Sequence, residues 1–298
     1  MDYNERVHEA RKCISMQSHL STCLYDWAVA HTLYRRQLLC WSTTVSYYAM
    51  MHGARTIFSL IETDSSFDSR FNPSATKREQ LKKIMRGHKA FCDFLIGNMT
   101  GRSVMLREQC AETFAELFPE TDWSSFLKSI GNVLALHKEA RETENYEHFV
   151  IAHHGREYHF ESPFIDTIFR KSEENMNEHL NQMLGYIITF YKNLSEQVRD
   201  YYLWHQKDEL FWLEKTMQKE NLVISQRMKT FLNNLQEILK DAKMPEDYSD
   251  FEREMDMDYY SEKNEVYTKL KNLARRLTDM DHVKQSNSSQ TRASSDSP

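Results

Sequence analysis

Arg141 and His148 are the pair whose types and spacing most suggest chemistry. Seven positions along a helix turn through about 700°, so both would share a face, roughly 10 Å apart along the axis. That is too far for a direct pair, yet both side chains could reach one extended phosphodiester. Alone, the pattern Arg-x6-His arises by chance, and its plain alternative is a solvated face on which Arg141 pairs with Glu144 or Asn145. A second candidate is the basic run Lys77, Arg78, Lys82, Lys83, Arg86, His88 and Lys89, with Leu81, Ile84 and Met85 for its buried side. Such a run is ordinarily a solvated face; the sharper alternative is a positive groove for RNA backbone.

His148, His153, His154 and His159 fall close together, with Glu157 and Glu161 as possible carboxylate partners. A metal site needs two or three of these on one face. His153 and His154 diverge from the face of His148, so no metal site is expected. The chain also lacks a Gly-rich phosphate loop, a nucleophile elbow and a His-Glu-x-x-His motif, and no cofactor is expected.

The elements that must position these residues are helices. Only 7 Gly and 5 Pro occur in 298 residues, where ordinary usage would give about twenty and about fifteen. Long stretches rich in Leu, Met, Glu, Lys and Gln point to an all-α protein. The 40% hydrophobic and 28% charged fractions suit amphipathic helices around narrow cores. No run of eighteen apolar residues predicts a membrane span, and Met1–Arg6 lacks the start of a secretory signal. The five cysteines are scattered and never form Cys-x-x-Cys, as expected of reduced thiols in a cytoplasmic protein. A net charge of −6 advertises no global field for nucleic acid, though a local basic groove remains compatible with it.

Helices are expected over about 3–37, 40–62, a capped segment from Thr76 to Ile96, 103–117 and 122–149. Thr76-x-x-Glu79 forms a capping box, and Gly97 and Gly101 bracket a break. Ser162-Pro163 is a helix start, and two long helices are expected over 164–240. Met244-Pro245 precedes an acidic stretch, a further helix at about 259–279 is expected, and the Ser-rich tail 285–298 has the composition of a disordered segment. Tyr47, Tyr48, Met51, Arg55 and Phe58 follow helical spacing, the ordinary signature of a core helix. His52 among them is expected to be a core histidine rather than a catalyst.

The order Tyr47-Tyr48-Ala49-x-x-His52-x-Ala54-Arg55, preceded by Leu38-Leu39-Cys40-Trp41, resembles the second helix of HEPN domains related to nucleotidyltransferase partners. Arg141 and His148, on the helix about ninety residues later, resemble the family's Arg-x4–6-His motif. Arg141-x-x-Glu144-Asn145-Tyr146 is similar to the Arg-x-x-Ala-Asp-Tyr form of one HEPN branch, which includes members that need not cleave RNA. Gly87-His88-Lys89-Ala90-Phe91 resembles the family's His-Lys segment and suggests an architectural role. The resemblance covers about residues 1–160. It implies a HEPN-like antiparallel helical bundle over 1–160, extended by long C-terminal helices over 161–284, before the tail 285–298.

The resemblance further implies metal-independent RNA cleavage at a composite site formed by two copies of the motif in a homodimer. There the ribose 2′-hydroxyl attacks the adjacent phosphate, His148 assists proton transfer or positions the hydroxyl, and Arg141 stabilises the developing charge. Lys77, Arg78, Lys82, Lys83, Arg86 and Lys89 would hold the RNA. The setting would be toxin–antitoxin or antiviral defence, with an antitoxin or nucleotidyltransferase as possible partner and no membrane. One departure favours an alternative. HEPN nucleases usually carry a small polar residue after the arginine, whereas Glu142 stands here and would repel a phosphate. That suits a non-catalytic HEPN-like interaction module binding a nucleotidyltransferase or another protein. A third reading, a structural helical adaptor, draws on the acidic stretch and tail.

Overall fold

A computed structural model describes residues 3–62, 84, 87–119, 122–142 and 163–244. Among the described residues the protein is all-α, with no strand. The helices are α1 (Tyr3–Arg35), α2 (Leu39–Glu62), α3 (His88–Ile96), α4 (Arg102–Leu117), α5 (Trp123–Glu142), α6 (Pro163–Asn193), α7 (Glu196–Lys219) and α8 (Gln226–Leu239). None is long and apolar enough to cross a membrane.

The first two helices form an antiparallel hairpin with extensive mutual contact. Gln37, at φ 62°, closes it, and the Leu38 amide donates to the Leu33 carbonyl at 2.9 Å, satisfying a helix-end acceptor. Cys13, Met16, Leu20, Cys23, Leu24, Trp27 and Ala28 supply the buried stripe of α1, at the three- and four-residue steps of a helix face. Helix α2 meets α1, α5 and α6 and is buried on nearly every side, although Ser42, Thr43, Ser46, Thr56 and Ser59 are polar. Their hydroxyls find acceptors on the backbone. Ser46, Thr56 and Ser59 donate to the carbonyls of Ser42, His52 and Arg55 at 2.8, 3.0 and 2.9 Å, and Ser42 crosses to the Ala30 carbonyl at 3.0 Å.

Gly97, at φ 79°, ends α3 in the left-handed conformation that favours glycine, and the Asn98 amide returns to the Asp93 carbonyl. The Arg107 guanidinium then donates to the Phe94 and Leu95 carbonyls at 2.9 and 3.2 Å, tying α4 to the end of α3. Helix α5 crosses α3 at Gly131, where a Cβ would fall 2.6 Å from Ile96 Cγ2 and 2.8 Å from the Ile96 amide nitrogen. Only glycine permits that approach.

An aromatic cluster fills the space between α2, α3, α4, α5 and α6. Phe114 stacks on Trp123 with centroids 4.1 Å apart and meets Tyr186 edge-on at 5.3 Å. Phe58 adds edge contacts to Phe91 and Phe94 and a tilted contact to Trp123. The geometry is that of aromatic pairs whose quadrupoles prefer offset and edge contacts.

Helix α6 begins at Pro163, as expected. The two helices expected over 164–240 are three. Ser195 opens α7, with its hydroxyl donating to Glu9 at 2.8 Å. Asn221, at φ 55°, breaks α7 from α8, and the Leu222 amide closes on the Met217 carbonyl at 2.9 Å. Ser225 caps α8 by accepting from the Met228 amide at 3.2 Å.

Candidate functional site

Arg141 falls in the last turn of α5, beside Glu142, so the described helix carries the motif's first residue to its C-terminal end. His148 lies outside the described residues, as do Lys77, Arg78, Lys82, Lys83 and Arg86. Lys89 is exposed in the first turn of α3. Helix α5 packs against both α2 and α3. His88, one residue before Lys89, lies with its Nδ1 3.2 Å from the Tyr47 hydroxyl, and its ring meets Tyr47 at 5.8 Å and Tyr48 at 5.5 Å.

Among the described residues, the densest group of titratable side chains sits one turn further along α2. Tyr48, His52, Arg55 and Ser59 recur at helical spacing on one face, and Ser15 and His19 approach it from α1. His19 and His52 bring their Nδ1 atoms to 3.4 Å, with ring centroids 5.6 Å apart. One ring must donate and the other accept, so a single proton lies between them. The Ser15 and Ser59 hydroxyls meet at 2.9 Å in the same seam. Burial, then His52, then Arg55 lower the His19 pKa to about 4. Burial, then Arg55, then His88 lower His52 to about 4. Both rings are therefore neutral at physiological pH. Arg55 is itself half-buried, and its guanidinium lies 6.0 Å from the Phe91 ring centroid.

His52 was expected to be a core histidine. It is half-buried and paired with His19 rather than enclosed in apolar packing.

Three other histidines are buried singly. Ser172 Oγ lies 3.0 Å from Nε2 of His137, whose pKa burial lowers to about 4. His31 is wedged against Trp27 and Phe169; Glu173 stands 3.7 Å from its Nε2, but burial followed by Arg35 lowers its pKa to about 4. At neutral pH that contact is not an ion pair. His179 is buried with no hydrogen-bond partner on either ring nitrogen. A Cβ at Gly53 would fall 2.7 Å from its Nε2, so the glycine makes room for the ring. Beside it an open cleft runs between apolar Met50, Ile130 and Val133 and polar Glu178 and Gln182.

A polar network joins α1 to α6 and α7. Gln17 Nε2 donates to the Tyr191 hydroxyl at 2.8 Å and to the Tyr202 carbonyl at 2.9 Å. His205 Nδ1 lies 2.8 Å from Gln17 Oε1, which can only accept, so that nitrogen carries the proton.

No three histidine, cysteine, aspartate or glutamate side chains among the described residues are grouped to hold a metal ion. A scan of protein-family models and searches of curated proteins and of solved structures find no match to this chain.

Proposed function

We propose that this protein is a HEPN-type, metal-independent endoribonuclease acting as a homodimer, with Arg141 and His148 of two copies forming one composite site. The observation that carries this reading is the convergence of three segments distant in sequence. Helix α5, which ends at Arg141, packs on α2 with its Tyr47-Tyr48 pair and on α3 with its His88-Lys89 pair. The Tyr47–His88 contact at 3.2 Å ties the latter two together. A phosphodiester approaching the end of α5 would meet Arg141 as the group that stabilises developing charge, and His148 as the group that moves the proton. Lys77, Arg78, Lys82, Lys83, Arg86 and Lys89 would hold the backbone of the RNA. A role in toxin–antitoxin or antiviral defence, in the cytoplasm, follows from the same family resemblance.

Cleavage of RNA by purified protein in EDTA tests the proposal, beside Arg141→Ala and His148→Ala variants with intact helicity and dimer mass. The expected result is chelator-resistant cleavage by the wild type that falls about 100-fold or more in each variant. A wild type inert on varied RNAs would sink the nuclease. The reading would then pass to a non-catalytic HEPN-like module that binds a nucleotidyltransferase or another protein, which Glu142 beside Arg141 already favours.

A further inference from the structure

We propose that His19, His52 and Arg55 form a binding site for a phosphate group between α1 and α2, taking either free phosphate or the terminal phosphomonoester of a small molecule such as a mononucleotide. The proposal is independent of the Arg141/His148 site and of any nuclease activity.

Position and chemistry carry it. Two imidazole Nδ1 atoms 3.4 Å apart on facing helices address the same small volume. Hydrogen bonds of about 2.8 Å from both could end on one phosphate or on two of its oxygens. Arg55 stands three residues after His52, which puts its guanidinium on that face with a fork of donors matched to a phosphate. Ser15 and Ser59 continue the seam by one turn with two hydroxyls. The charged groups acting on His19 are His52 and Arg55, and those on His52 are Arg55 and His88. All are cationic or can become so.

A helix–helix contact needs none of this, since apolar side chains of similar volume would pack there without desolvating a guanidinium and two imidazoles. Without an anion the rings can only satisfy each other through one shared proton. A dianion between them reverses the local field, favours protonation of both rings and turns each into a charged donor. The half-buried position, between two helices, admits a terminal phosphate more readily than the continuous backbone of a long RNA.

The experiment is a long-range proton–nitrogen spectrum of the histidine rings in the full-length protein. It is followed through a pH titration without ligand, with inorganic phosphate, and with adenosine monophosphate. The expected result is saturable movement of the His19 and His52 signals, with their protonation midpoints raised by about one unit or more, a tenfold gain in proton affinity. Arg55→Gln and Arg55→Lys should each weaken binding about tenfold, the latter because lysine loses the fork, while Lys229→Gln on the exposed surface of α8 should not. If phosphate and the mononucleotide bind alike, the site takes the free ion; if the mononucleotide binds more tightly, it takes the monoester. Rings that keep their ligand-free midpoints in both ligands would overturn the proposal and leave the pair as an interhelical hydrogen bond only. Should the Arg55 variants fail to fold, the wild-type ring titration still decides.

Discussion

Two interiors of this molecule are built on opposite principles. Around Phe114, the space between α2, α4, α5 and α6 is filled by Phe58, Trp123, Phe126 and Tyr186, with no histidine among them. Between α1 and its neighbours α2, α6 and α7 runs a seam of Gln17, His19, His52, Tyr191 and His205, held by hydrogen bonds of 2.8 to 3.4 Å. The aromatic region gains stability from removing apolar area from water, which is insensitive to pH and to small ligands. The seam depends on partners and protonation states, so conditions can change it. A protein with both can hold its fold with one region and respond to its surroundings with the other.

Acid should separate the two interiors most sharply. His19, His31, His52, His137 and His179 are each held near a pKa of 4 against an ordinary 6.5, burial being the first cause in every case. Unfolded rings take up protons below about 6.5 and folded rings only below about 4. The stabilising contribution is therefore fully present above 6.5 and is lost as pH falls towards 4. The most enclosed rings, His137 and His179, should cost roughly 2–3 kcal/mol each at the acid end. The other three are more open to solvent and should cost less. Urea unfolding at pH 7.5 and 4.5 should show the loss, and a flat profile would mean that the rings are charged in the native state.

Phe114→Ala attacks the other interior and should cost about 3–5 kcal/mol. The variant removes the stack on Trp123 and the contacts to Phe118, Phe126 and Tyr186. Its loss should be the same at both pH values, because no titrating group leaves with the ring. Unequal losses in urea would show that the aromatic region and the seam unfold as coupled parts.

What could be read from the sequence tracks where the physics is local. Pro163 marks the start of α6 and Gly97 the end of α3 because each residue restricts or frees its own backbone. The division of α7 from α8 escaped notice because Asn221 takes the left-handed conformation with neither Gly nor Pro beside it. The seam was half legible. His52 stood out on α2, but its partner His19 lies thirty-three residues away, and that contact depends on how two helices register. The usable signal was Ser15 and His19 on one helix against His52, Arg55 and Ser59 on the next, polar residues at helical spacing within otherwise apolar faces. The Arg141–His148 pair is a pattern within one segment and needs no tertiary register to be noticed, but the meeting of two such pairs across a dimer depends on contacts that no single segment encodes.

Gln17→Leu probes the seam with a smaller effect. The substitution keeps volume but strips two donors and one acceptor, leaving the buried Tyr202 carbonyl and Tyr191 hydroxyl with fewer partners. A loss of about 2 kcal/mol in urea unfolding is expected. Combined with Tyr191→Phe, the loss should be less than additive, because both substitutions break the same hydrogen bond. Strict additivity would mean that the 2.8 Å contact carries no net coupling.

Asp26→Asn should have the smallest effect and the opposite sign. Burial raises the Asp26 carboxyl to a pKa of about 6. It lies on α1 three residues beyond Cys23, whose thiol is pushed far up by burial and then by this same carboxylate. An acid with a raised folded pKa binds more protons when folded, so its penalty is complete above about 6 and disappears as pH falls towards 3.8. The amide removes the charge and keeps the shape. At pH 7.5 the variant should be more stable by about 0.5–1 kcal/mol, an amount discounted for the solvent that still reaches the side chain. At pH 4.5 the gain should shrink to near zero, because the wild-type carboxyl is then protonated as well. A gain that persists at pH 4.5 would locate the benefit in the amide's own hydrogen bonds rather than in the lost charge. Asp26 and the five histidines therefore pull the stability curve in opposite directions over the same pH window, and the acid loss measured for the wild type is their difference.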